Sequence, residues 1–138
     1  MAHSTRPAGF YRHHDGPLDA LVCDGVPLAA IAAAEGTPLY VYSAAVLRER
    51  YRAIDGAFQG YPHTLHYALK ANSTLAIARL LCELGSAVDA NSIGEVDVAR
   101  KAGFAPSQIV FTGVGKTPEE LEAAVALGVK AINVESAG

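Results

Sequence analysis

From residue 64 onward the chain repeats a pattern. Short apolar runs begin at Leu65 (LHYAL), Ala87 (AVDA), Ile109 (IVF) and Ala131 (AINV), a constant spacing of 22 residues. Between them lie segments of helical periodicity, roughly Thr74 to Leu84, Glu95 to Ala102 and Pro118 to Leu127. A strand–helix unit repeated in this way predicts parallel strands joined by crossovers. A leucine-rich solenoid has a similar period, but its L-x-x-L-x-L-x-x-N spacing is absent. The residues leave two α/β architectures, an open doubly wound sheet and an eightfold barrel.

Local chemistry marks the helix ends. Gly85, Gly103 and Gly128 fall just past the three helical segments, where a left-handed residue commonly closes a helix. Ser92 with Glu95, and Thr117 with Glu120, have the spacing of capping boxes, in which a hydroxyl and a carboxylate satisfy orphan amides reciprocally. Pro118 occupies a first helical position, where its missing N–H costs nothing.

Before residue 64 the pattern changes. GVPLAAIAAAEGT predicts a short helix ending at Gly36, PLYVY a strand, and Ser43 the N-cap of an amphipathic helix from Ala44 to Phe58 with Val46, Leu47, Tyr51 and Ile54 on one face. Residues 1–36 therefore read as a separate leader and residues 37–138 as the start of the repeat domain. The units present fall far short of the ~250 residues of a complete barrel, so the chain reads as the first part of a longer protein.

Eleven Lys and Arg against fourteen Asp and Glu give a formal charge of −3, which argues against a nucleic-acid or anionic-membrane partner held by bulk charge. The N-terminus lacks the apolar core of a signal peptide, and Leu18–Ala34 is too interrupted to span a membrane. Cys23 and Cys82 match no metal or redox spacing. The expectation is a cytoplasmic protein with reduced thiols.

One residue is out of keeping with a purely structural repeat. In HYALKANSTLAIARLL a cation, Lys70, ends an apolar run just before a helix start, which Asn72 or Ser73 would cap. In parallel α/β folds functional groups collect at the C-terminal ends of strands. From position alone Lys70 is either a solvated loop lysine or a buried amine kept neutral and able to attack a carbonyl.

The run Tyr67-Ala68-Leu69-Lys70-Ala71-Asn72 resembles the signature of pyridoxal-phosphate decarboxylases of the alanine racemase-like fold, in the branch that includes diaminopimelate and ornithine decarboxylases. GSAVDANSIGE, with Asp89, Ser92 and Glu95, is similar to their second-strand motif. IVFTGVGKTPEELEAAVALGVKAINVES resembles their third and fourth units. The opening DGPLDALVCDGVPLAAIAAAEGTPLYVYS is similar to diaminopimelate decarboxylases in particular. The resemblance implies the N-terminal portion of a pyridoxal-phosphate-binding (β/α)8 barrel, preceded by a leader that packs with a C-terminal β-domain. It implies Lys70 as the catalytic lysine that holds pyridoxal 5'-phosphate, with Ala68 and Asp89 beside the cofactor and no metal.

It further implies a small amino-acid substrate, a homodimer when full length, and conversion of meso-2,6-diaminopimelate to L-lysine and CO2. Related activities on ornithine, arginine or carboxynorspermidine are the alternative, with a non-catalytic cofactor carrier or an inactive fragment as rivals of other classes. The cofactor's phosphate-binding glycines and ring-nitrogen partner come in that family from later units, so residues 1–138 alone are expected to be inactive.

Other motifs read as structure. Glu95 and Ser92 are explained by capping. TGVGKT lacks a P-loop's first glycine, since Val110 stands at that position. Its Thr117 then reads as a helix cap and Lys116 as a solvated loop residue. His13 and His14 are adjacent leader histidines, more readily solvated than metal-bound.

Overall fold

The structure, a computed structural model, describes residues 8–13 and 20–136. His14 of the histidine pair lies outside them. Two compact units divide between Arg52 and Ala53.

The first unit opens with an antiparallel sheet of β1 (Phe10–His13), β2 (Ala20–Cys23) and β3 (Val26–Pro27), in that order. Asp24 and Gly25 join β2 to β3 with φ of 50° and 83°. Two consecutive left-handed residues make the primed turn that matches strand twist, and Asp-Gly is a pair that tolerates it. α1 (Leu28–Glu35) follows at once and stops at Gly36, as expected. PLYVY differs from expectation. No strand forms there, and Tyr40 and Tyr42 are 90% and 54% exposed. Alternating apolar residues need a neighbouring strand to become a ladder, and the described residues place none beside this segment.

Ser43 caps α2 (Ala44–Ala57), its Oγ accepting the Val46 amide at 3.1 Å. Of the expected apolar face, Val46, Leu47 and Tyr51 are half-buried and Ile54 is exposed.

The second unit carries the repeat: β4 (His66–Ala68), α3 (Leu75–Glu83), β5 (Ala87–Ala90), α4 (Ile93–Ala102), β6 (Ile109–Phe111), α5 (Pro118–Leu127) and β7 (Ala131–Ile132). The strands are parallel and ordered β4-β5-β6-β7. That order resolves the choice left open by the period. A doubly wound sheet reverses its strand order at a switch point, whereas a barrel winds one way; these strands wind one way.

β4 and β7 are shorter than their apolar runs. Leu69–Ala71 turns into a 3-10 helix. Beyond β7, the Asn133 amide still donates to Phe111 O at 2.9 Å. α4 starts two residues ahead of the expected Glu95, because Ser92 Oγ accepts the Glu95 amide and becomes the N-cap.

Register separates the sheet's two faces. Tyr67, Val88 and Ile109 lie side by side across β4, β5 and β6, and Ala68, Asp89 and Val110 form the next rank. Successive residues of a strand point to opposite faces. The first rank packs with Leu69, Ala90, Val96, Ala99, Phe104, Phe111 and Ala124 in the core. Burying Phe104 and Phe111 completely contributes about 1.5–3 kcal/mol each. The second rank looks away from that core, and its face is free to carry polar chemistry. No helix among the described residues is long and apolar enough to cross a membrane.

Candidate functional site

Lys70 stands in the 3-10 turn that leaves β4, two positions beyond the last strand residue. The turn is stapled at both ends. The Tyr67 hydroxyl donates to Asn72 O at 2.9 Å, and Asn72 Oδ1 accepts the Thr74 amide at 2.9 Å. Thr74 is the N-cap of α3 and its side chain makes no capping bond. Asn72 therefore secures the residue at the cap position rather than capping the helix itself, and Ser73 is not the cap either. The Lys70 side chain is exposed, and it takes part in no hydrogen bond or ion pair among the described residues. These residues do not supply the burial that a neutral nucleophilic amine calls for.

On the sheet face turned away from the core lies an open concavity of about 350 Å³, lined by His66, Ala68, Asp89, Val110, Thr112 and Asn133. Two of the three expected site residues, Ala68 and Asp89, meet there directly, since they are register partners. Lys70 is not part of the lining. It follows Ala68 at the exit of the same strand.

Two residues that the sequence reading passed over complete the polar part. The Thr112 hydroxyl donates to Asp89 Oδ1, and Asn133 Nδ2 donates to Thr112 Oγ1 at 2.9 Å. Their signal was positional: each stands two residues past a strand position of the rank that faces the concavity, Val110 and Ala131. At the entry end of the strands, Lys130 Nζ donates to His66 Nε2 at 3.2 Å.

The rim is built by close loop packing. Gly113 has φ +111°, and a Cβ there would meet Asn91 O at 2.2 Å, so the loop after β6 lies directly on the loop after β5. Glu95 Oε2 accepts the Asn91 amide at 2.7 Å. The expected Ser92–Glu95 box is therefore half right: the serine caps, but the carboxylate reaches one residue further back. Thr117 and Glu120 form the full box, with amide-to-side-chain distances of 3.2 and 3.0 Å.

Lys116 is not solvated. Its side chain is 7% exposed, its ammonium donates to Gly113 O and to Glu135 Oε1 at 3.3 Å, and it lies 5.8 Å from the centroid of the Phe111 ring. The lysine stem fills space between the β6 loop and the segment after β7 while its charge finds fixed acceptors.

The donor set fits pyridoxal phosphate. Lys70 offers a primary amine for an aldehyde, Asp89 a carboxylate with one oxygen uncommitted among the described residues, and Ala68 a side chain too small to obstruct either. Among the described residues no group of His, Cys, Asp and Glu could hold a metal ion.

Comparison with known proteins agrees with this chemistry. The family model described as "Pyridoxal-dependent decarboxylase, pyridoxal binding domain" matches residues 44–138. Diaminopimelate decarboxylase of Vibrio cholerae is 46% identical over 127 residues, covering 92% of this chain and 30% of that protein. The crystal structure of diaminopimelate decarboxylase from M. jannaschii in complex with L-lysine superposes with a TM-score of 0.83 at 34% identity, over 94% of this chain and 30% of that one. The Helicobacter pylori enzyme, also complexed with L-lysine, gives 0.74 at 41% identity over 79% of this chain and 28% of that one. The chain thus spans less than a third of the length of these relatives.

Proposed function

The chain belongs to the pyridoxal-dependent decarboxylases, and from that membership we propose that the intact protein removes CO2 from meso-2,6-diaminopimelate to give L-lysine. The observation that carries the reading is Lys70 at the exit of β4, one turn beyond a concavity lined by Ala68 and Asp89. The named relatives support the substrate, and the family supports the cofactor.

In this reading Lys70 would hold pyridoxal phosphate through its primary amine, Nζ standing at the exit of β4 beside the concavity. When bound, the cofactor supplies the electron sink for the pair left on the α-carbon as CO2 departs. Ala68 keeps the strand exit clear. Asp89 presents its carboxylate to the concavity. The stapled turn from Tyr67 to Thr74 fixes the height at which the lysine leaves the sheet, and such positioning accounts for much of an enzyme's rate. We place residues 1–36 with a β-domain supplied by later sequence, the repeat domain from residue 37 in a (β/α)8 barrel, and the protein in the cytoplasm as a homodimer.

The test uses the full-length protein. Borohydride reduction in the presence of pyridoxal phosphate, followed by peptide mapping, labels Lys70, and Lys70→Ala loses both the label and turnover while remaining folded. Label on a different lysine in the wild type refutes the assignment. Faster CO2 release from ornithine, arginine or carboxynorspermidine than from meso-diaminopimelate refutes the substrate.

A further inference from the structure

We propose that Thr112 and Asn133 are positioning residues for Asp89, forming a side-chain relay across three adjacent strands that aims the carboxylate at the cofactor. The proposal rests on the reading of the concavity as the pyridoxal-phosphate site.

The direction of the relay follows from its donors. An amide nitrogen only donates, so Thr112 Oγ1 accepts from Asn133 Nδ2 and its single proton goes to Asp89 Oδ1. With the amide of Asn133 reversed, two oxygens would compete for that one proton, and only the observed orientation satisfies all three groups. Oδ1 of Asp89 is thereby fixed as an acceptor and the carboxylate's rotation is held. Oδ2 takes part in no hydrogen bond among the described residues, and Asp89 lines the concavity.

A purely architectural role is poorly supported. β5 and β6 are already joined by their ladder, which the Thr112 amide extends by donating to Ala90 O at 2.8 Å. The same holds for β6 and β7, where the Asn133 amide donates to Phe111 O. The side-chain bonds are redundant for strand pairing. They also sit on the face away from the apolar core, where Asn133 is exposed and Thr112 only half-buried. What they restrain is the one carboxylate that lines the concavity among the described residues. Partners that orient metal ligands through hydrogen bonds cost about 10- to 100-fold in affinity or activity when lost, and the lower end of that scale is expected for this carboxylate.

The experiment uses full-length apo-protein titrated with pyridoxal phosphate, read by visible absorbance and by the circular dichroism induced in the cofactor band, with melting temperature measured on each sample. Thr112→Val is expected to weaken cofactor binding about tenfold and to halve the induced dichroism, with the melting temperature little changed. Thr112→Ser, which keeps the hydroxyl, restores both readouts to within about twofold. Asn133→Ala, which removes only the outermost donor of the relay, shifts both in the same direction but less, and it decides the matter should Thr112→Val fail to fold. Wild-type affinity and dichroism in a folded Thr112→Val, or in Asn133→Ala where the valine variant does not fold, overturn the relay. A wild-type protein with no saturable band overturns the cofactor reading itself, and the relay with it. A wild type that binds while the variants are unaffected overturns the relay alone.

Discussion

Asp24 Oδ2 accepts the amide proton of Ala45 at 3.0 Å, so a hairpin turn caps a helix 21 positions further along the chain. The Ser43 hydroxyl donates to the other carboxylate oxygen at 2.5 Å. These bonds, the Ala45 amide first and the Ser43 hydroxyl second, hold the Asp24 carboxyl below its ordinary range. Asp24→Ala is expected to lower stability at neutral pH by about 1 kcal/mol for the lost N-cap, on top of a pH-independent cost of placing alanine at the left-handed φ of 50°. Because the folded-state pKa is depressed, the contribution is fully present above about pH 3.9 and fades as pH falls through the lower folded value. The gap between paired denaturation curves of wild type and variant should narrow in acid to the constant strain offset; a gap that stays unchanged down to full acid unfolding contradicts the cap.

His63 runs the opposite way with pH. Its Nδ1 lies 2.7 Å from Tyr61 O and its Nε2 2.9 Å from Asp55 Oδ1, and its ring stacks on Phe58. Both partners are acceptors, so the doubly protonated imidazolium satisfies them best. The Tyr61 carbonyl foremost, with Asp55 behind it, raises the pKa against some opposing desolvation. A raised folded value means stability present below about pH 6.5 and lost as pH rises through the folded value. Melting temperatures between pH 5 and 9 should show this loss in the wild type and not in His63→Gln. Parallel curves would exclude the linkage.

Lys116 and Glu135 should respond unequally to mutation. Lys116→Met leaves the Gly113 carbonyl without its donor in a nearly closed space and is expected to cost about 1–3 kcal/mol. Glu135 is half-exposed, so Glu135→Gln removes a screened pair worth less than about 1 kcal/mol. Urea unfolding of the two variants ranks them, and equal losses would mean that the ion pair rather than the carbonyl holds the ammonium.

Gly113→Ala is expected to destabilise by at least about 1–3 kcal/mol, the cost of strained backbone alone, with the 2.2 Å approach to Asn91 O added to it. Gly115→Ala, also at positive φ but with nothing near the added carbon, separates the two effects. Thermal unfolding that gives both variants the same loss would show that the loops do not press on each other.

Most of the second unit was legible because each signal was local. Ser92, Thr117 and Pro118 start helices through chemistry acting within one turn, and the glycines end them the same way. Lys70 stood out for a similar reason, as a charge at the end of an apolar run. PLYVY failed because strand character depends on a neighbour, and periodicity within a segment carries no information about one. Lys116 failed because its burial comes from Phe111 and Glu135, one five residues before it and the other nineteen after. Thr112 and Asn133 were missed because their role exists only once β5, β6 and β7 are side by side; neither residue is unusual in its own segment.

The alternation of faces along β5 ties two otherwise separate properties together. Val88 and Ala90 enter the core while Asp89, between them, enters the concavity. Removing one residue within β5 would exchange those destinations, sending a carboxylate among apolar side chains and valine into the polar relay. Length changes are harmless only where no register is set, as in the segments between a helix end and the next strand. Any related sequence that keeps the chemistry must therefore keep β5 at constant length, and its gaps must fall in the loops. The spacing from Asp89 to Thr112 can drift, but the step from Val88 to Asp89 to Ala90 cannot.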